Sequence, residues 1–240
     1  MRALFLADAH LRRPTDANYR ALLDLLDKQC GRLDLLVLLG DLFEFWAGDR
    51  KVLHASYQPL LAALERLTGS GTRLICVEGN HDFDLGRHFR DRLGARVLAD
   101  GGSIELDGQQ VFLAHGDLAN PDDRGYLLLR RLLRSAPLRL LIRHLPIDLV
   151  LAIAMHSSRQ SRARRNERGR QERVRRLLTA YADPILAAGH DLVVTGHFHL
   201  PLRLQLPHGE LIALGDWIAQ YSFLSYTDGR FELQRADIQT

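Results

Sequence analysis

The stretch LDLLVLLGD, residues 33–41, carries an apolar run from Leu35 to Leu39 with no polar alternation and then turns at Gly40 into Asp41. A strand with one wet face alternates apolar and polar residues, whereas an unbroken run suits a strand covered on both faces, as in parallel sheets. The same pattern recurs in ALFLADAH (3–10), RLICVEGNHD (73–82), QVFLAHGD (110–117) and DLVVTGHFH (191–199). Each of these runs ends on residues capable of chemistry. Between the first three strands lie YRALLDLLDKQ (19–29) and YQPLLAALERL (57–67), whose leucines recur at intervals of three and four, the spacing of an amphipathic helix. Strand, helix, strand, helix, strand predicts an α/β fold with mainly parallel central strands.

Outward from this frame the pattern changes twice. RLQLPHGELIALGDW (203–217) and YSFLSYTDGRFELQRADI (221–238) read as short strands with turns at Pro207-His208-Gly209 and Asp228-Gly229, which predicts a second, more antiparallel sheet packed on the first. Residues 121–185 look helical throughout and predict a cap inserted into a single domain spanning residues 1–240. With 240 residues, 46% of them hydrophobic, one domain can bury a sizeable core.

Charge is unevenly spread. Of 32 basic residues only Lys28 and Lys51 are lysine, and between Pro121 and Arg176 there are 15 arginines against 5 acids. That segment carries +10 within a chain of net +3, so the remainder carries −7. A localised cationic segment predicts an anionic partner: phosphate, nucleic acid or a membrane surface. The apolar part near 138–155 is interrupted by Arg139, Arg143, His144, Pro146 and Asp148, so it falls short of the roughly 20 clean apolar residues of a span. Met1 is followed by RALFLAD with no secretory apolar region, which predicts a cytoplasmic protein. Cys30 and Cys76 lie far apart and are expected to be buried as small hydrophobes.

The carboxyl ends of parallel strands gather at one edge of a sheet. Asp8, His10, Asp41, Asn80, His81, His115, His197 and His199 are therefore expected to face one cleft. Imidazole, carboxylate and amide oxygen without thiolate suit divalent Mn, Fe, Zn or Co rather than a structural cysteine-zinc site. In Asp8-Ala9-His10 and His197-Phe198-His199 a spacing of two puts both side chains on one face of an extended segment. Seven candidate ligands are too many for one ion, and if Asp41 bridges they divide into two sets of four.

DAH (8–10), GD (40–41), GNHD (79–82), HGD (115–117) and GHFH (196–199), in that order, resemble the motif set of the calcineurin-like metallophosphoesterases. The resemblance implies a four-layer α/β/β/α sandwich and a centre of two divalent ions, Mn²⁺ by first expectation, with Fe²⁺ or Zn²⁺ as alternatives. Carried over, Asp8, His10, Asp41 and His199 hold one ion, and Asp41, Asn80, His115 and His197 hold the other. His81 would stabilise the transition state or protonate the leaving oxygen, with Asp82 either its orienting partner or the cap of a following helix.

GDLFEFWAGD (40–49), GNHDFDLG (79–86), HGDLANPDDRGY (115–126) and the Arg-rich helical insertion further resemble the UDP-2,3-diacylglucosamine pyrophosphatase family of lipid A synthesis. That resemblance implies hydrolysis of an acylated UDP-sugar to UMP and an acylated sugar 1-phosphate (lipid X), at the cytoplasmic face of the inner membrane. Asn80, His81, Asp123, Ser157, Ser158, Arg159, Arg162 and His197 are the expected substrate contacts. One position departs from the family's pattern: its members carry arginine after the asparagine, where this chain has His81. A paralogue acting on another nucleotide diphosphate or phosphodiester is the alternative. Nucleic acid is not the expected partner, because only Tyr126 and Tyr181 in residues 121–185 could stack on bases. A metal-free scaffold of the same fold is the non-enzymatic alternative, and the complete ligand set speaks against it. Core packing accounts for Glu44, Trp46 and Trp217 as well as function does.

Overall fold

The computed structural model describes residues 1–48, 51–145 and 169–237. In chain order its elements begin with β1 (Arg2–Leu6), α1 (Ala17–Gln29), β2 (Leu35–Leu38), β3 (Trp46–Ala47), α2 (Lys51–Gly69), β4 (Arg73–Val77) and β5 (Asp82–Phe83). A π-helical turn (His88–Arg92) leads to β6 (Arg96–Leu98), β7 (Gly102–Leu106), β8 (Gln109–Leu113), α3 (Arg124–Leu133) and α4 (Ala136–His144). After the insertion come α5 (Arg170–Ala187), β9 (Leu192–Thr195), β10 (Leu202–Leu206), β11 (Gly209–Ala213), β12 (Ser222–Thr227) and β13 (Arg230–Arg235).

Two sheets face each other. The first has the order β13-β12-β1-β2-β4-β6 and the second β10-β11-β9-β8-β7. All five apolar runs became strands, with β1, β2, β4 and β6 mutually parallel and β8, β9 and β11 mutually parallel. The C-terminal hairpin differs from the expectation: β12 lies antiparallel beside β1 in the first sheet, with Tyr226 opposite Ala3. The second sheet is instead built by β8 and β9 joining β11. The reason lies in the faces of β12, where Leu224 and Tyr226 point into the space between the sheets with Phe5, Val37, Val111 and Val194.

The layers follow from the apolar stripes. Tyr19, Leu22 and Leu26 of α1 and Leu60, Leu64 and Leu67 of α2 cover the outer face of the first sheet. Val174, Leu178, Ala182 and Leu186, every fourth residue of α5, cover the outer face of the second against Val193, Leu211 and Ala213. The result is the α/β/β/α sandwich, with α5 its fourth layer although the sequence groups it with the insertion. Cys76 is buried, but Cys30 is exposed at the end of α1, so the expected burial describes only the former. No helix among the described residues is long and apolar enough to cross a membrane.

Candidate metal centre

The carboxyl ends of β1, β2, β4, β8 and β9 converge where the two sheets meet. Backbone bonds stitch their turns together: Asp8 N–H donates to Gly40 O (3.1 Å) and Gly196 N–H to His115 O (2.8 Å). Asp8, His10, Asp41, His197 and His199 all sit in the left-handed region, with φ of 54°, 44°, 53°, 70° and 52°. Such conformations cost free energy for residues with a Cβ and persist where surrounding contacts over-determine them. Gly40 and Gly196 are required for a different reason: a Cβ on Gly40 would lie 2.6 Å from His115 Nδ1, and one on Gly196 would lie 2.7 Å from Asp8 Oδ2.

The side chains then fall into two groups with Asp41 between them. Asp41 Oδ2 is 3.6 Å from His10 Nε2 and 3.5 Å from His115 Nε2. His115 Nε2 also lies 3.2 Å from Asn80 Oδ1 and 3.2 Å from His197 Nδ1, while His199 Nε2 is 3.4 Å from Asp8 Oδ1. Asp8, His10 and His199 offer ligand atoms within 4.8 Å of one another, as do Asp41, His115 and His197. Asp8 Oδ1 is buried and accepts no hydrogen bond among the described residues. Carboxylate, imidazole and amide oxygen converging this closely fit divalent cations, and the set matches hard to borderline ions.

The far side of three of the four rings is also occupied. Leu39 O faces His115 Nδ1 at 2.8 Å, Glu44 Oε2 faces His10 Nδ1 at 3.6 Å and Asp216 Oδ2 faces His199 Nδ1 at 3.7 Å. These partners turn Nε2 of all three rings inward, the arrangement by which outer groups fix a ligand's tautomer. Burial holds His10 and His197 down to about 4, so both are neutral and free to coordinate near neutral pH. Burial alone would raise Asp41, but His115 and His81 outweigh it and keep this carboxylate ionised.

His81 sits beside this cluster with Nδ1 2.8 Å from Glu44 O and its ring edge-on to His10 at 4.6 Å. Asp82 neither contacts His81's ring nor caps a helix. Buried in β5, its carboxylate accepts from Asp41 N (2.9 Å), Gly79 N (2.9 Å), Leu42 N (2.6 Å) and Phe43 N (3.4 Å). Burial and the neighbouring Asp41 push its carboxyl up to about 7, against those backbone donors. Asp123 caps α3, accepting from Tyr126 N at 3.0 Å. Ser157, Ser158, Arg159 and Arg162 lie outside the described residues. Trp46 and Trp217 are core residues, the first stacked on Phe43 and the second donating Nε1–H to Asn18 O at 3.0 Å.

The sequence reading missed the groups that brace these loops. Asp117 accepts from Tyr126 Oη and from Arg130 Nε (2.7 Å), and Arg170 at the start of α5 donates to Phe198 O (2.7 Å), between His197 and His199. Asp216 gathers the N–H groups of Ile218, Ala219 and Gln220. Asp117 belongs to the HGD motif, whereas Asp216 and Arg170 belong to none of the five motifs.

Comparison with known proteins shows the family. The family described as calcineurin-like phosphoesterase matches residues 1–201. The chain belongs to the calcineurin-like phosphoesterase family. A UDP-2,3-diacylglucosamine hydrolase of Pseudomonas putida is 36% identical, covering 96% of this chain and 97% of its own. A protein of the same name from Aeromonas salmonicida is 36% identical over 98% of this chain and 93% of its own. An archaeal phosphodiesterase superposes with a TM-score of 0.53 at 13% identity, covering 98% of this chain and 99% of its own, a likeness of fold.

Proposed function

We propose that the chain is a two-metal hydrolase that cleaves the pyrophosphate of UDP-2,3-diacylglucosamine, releasing UMP and the acylated sugar 1-phosphate. The observation that carries this reading is the convergence of seven donor residues in two groups that share Asp41. Asp8, His10, Asp41 and His199 would hold one cation and Asp41, Asn80, His115 and His197 the other, with Mn²⁺ the first candidate. A pair of divalent cations there supplies Lewis-acid stabilisation of phosphoryl charge and a nucleophilic oxygen near neutral pH. His81, oriented by the Glu44 carbonyl, is the residue placed to meet the substrate phosphate or give a proton to the leaving oxygen. Relatives of the same length named for this substrate support the choice.

Residues 1–240 form one domain in this reading, and its cap is the part of residues 121–185 that precedes α5, of which α3 and α4 are the described hairpin. Leu128, Leu129, Leu132, Leu140 and Leu141 are each 45–59% exposed on that hairpin. Together with the arginines around them, these side chains suit acyl chains and an anionic membrane face, each buried methylene contributing about 0.8 kcal/mol. The second reading, a related diphosphate or diester as substrate, is favoured by His81 alone.

Hydrolysis of UDP-2,3-diacylglucosamine in detergent with Mn²⁺, run beside bis-p-nitrophenyl phosphate and UDP-glucose, tests the proposal. UMP released from the acylated substrate in preference to UDP-glucose is expected. Cleavage of the small diester alone would overturn the substrate and keep the centre.

A further inference from the structure

The corner between α3 and α4 is seated on the segment that carries Asn80 and His81. At that corner Arg134 Nη1 donates to Ala99 O (2.7 Å) and Glu78 Oε2 (3.1 Å), while Nη2 donates to Gly79 O (3.2 Å). Glu78 Oε1 in turn accepts from Leu85 N at 3.1 Å, so one carboxylate ties both ends of residues 78–85. Neither side chain is open to solvent: Arg134 is 16% exposed and Glu78 9%. Beside the corner, Ile142 packs on Phe83 with Leu133 and Leu138 around them, and Arg139 Nη1 reaches Asp84 at 3.5 Å.

We propose that Arg134 is a positioning residue for the Asn80–His81 segment, transmitting the seating of the helical hairpin to the candidate metal centre. The Gly79 carbonyl that it holds belongs to the same peptide plane as the Asn80 nitrogen, so fixing one fixes the other. Removing the guanidinium would leave Glu78 as a buried carboxylate without its cation, a costly state that is relieved by turning the carboxylate toward water. Because Glu78 precedes Gly79 directly, that turn displaces Asn80 Oδ1 from His115. Lysine cannot replace the fork: an ammonium is a point charge, and three acceptors here lie around one planar group.

This rests on the reading of Asn80 as a metal ligand and His81 as the group beside the substrate, and the test separates the two ideas. Full-length wild type, Arg134→Ala, Arg134→Lys and Arg134→Ala combined with Glu78→Gln would be compared for Mn²⁺ bound at equilibrium and for kcat and KM on bis-p-nitrophenyl phosphate. Two Mn²⁺ per wild-type chain supports the metal reading, and none would sink it whatever the variants do. Given two, the Ala and Lys variants should bind the second Mn²⁺ and turn over about tenfold or more less well, with KM nearly unchanged, as for other outer-shell losses. The double variant should recover part of both, since a neutral amide in place of the Glu78 carboxylate no longer seeks solvent. Should Arg134→Ala fail to fold, Arg134→Lys decides alone. Wild-type Mn²⁺ affinity and kcat in a folded Ala or Lys variant would overturn the proposal.

Discussion

Asp82 Oδ1 accepts a hydrogen bond from the Asp41 amide at 2.9 Å, and Asp41 Oδ1 accepts one from the His81 amide at the same distance. The two acidic turns therefore brace each other, and the residue proposed to be shared between two cations is held through its backbone. Asp82→Asn keeps the size but replaces one acceptor with a donor that faces amide hydrogens. Mn²⁺ affinity is expected to fall about 10–100-fold, the range for outer-shell partners. Equilibrium dialysis of the folded variant measures this, and an unchanged affinity would show that the brace is dispensable.

Asp41→Ala removes the carboxylate whose Oδ2 lies 3.6 Å from His10 Nε2 and 3.5 Å from His115 Nε2. Turnover of bis-p-nitrophenyl phosphate should drop on the order of 1,000-fold, several kcal/mol of transition-state stabilisation. Bound Mn²⁺ should fall below two per chain in the same sample. Retention of both would contradict a shared ligand.

α5 belongs to the sandwich, so its packing is expected to matter to stability and not to chemistry. Leu178 is fully buried against Val193 and Leu211. Leu178→Ala should cost about 2–5 kcal/mol in urea unfolding while kcat of the folded fraction stays at the wild-type value. A loss below about 1 kcal/mol would mean that α5 is not a core layer.

Leu128, Leu129 and Leu132 are exposed on one helix, while Arg130 within it and Arg134 at its end point back to Asp117 and Glu78. Changing all three leucines to serine should raise KM for the acylated substrate about tenfold and leave the small diester untouched, because only the former has tails to bury. Equal effects on both substrates would mean the hairpin serves the centre and not the lipid.

The strands and the residues that meet at their ends were legible because each is local. An unbroken apolar run such as Leu35–Leu39 reports burial on both faces, and its terminal Asp41 sits at the edge where such strands end together. Sheet membership was not legible, since the pairing of Tyr226 with Ala3 joins opposite ends of the chain and no nearby residue records it. The same holds for Asp82, Asp216, Arg134 and Arg170. Many of their partners are main-chain groups, which leave no trace in residue type, so a helix cap and a four-fold amide acceptor look alike at Asp82 until the turns are brought together.

His81 decides between the two substrate readings, and arginine at this position can be asked directly. His81→Ala should lower kcat on the diester about 100-fold, the usual contribution of a positioned acid or of one charged hydrogen bond to the transition state. His81→Arg separates these roles. A guanidinium stays charged and can bind phosphate but cannot give up a proton at neutral pH. If the imidazole stabilises charge, the Arg variant should keep most of the activity on the acylated substrate. If the imidazole donates a proton, the Arg variant should fall with the Ala variant for a poor leaving group such as an alkyl phosphate ester, yet keep p-nitrophenol release. Parallel loss on every substrate would mean that position 81 is set by packing against His10, and the choice between a diphosphate and a diester would have to come from the cap.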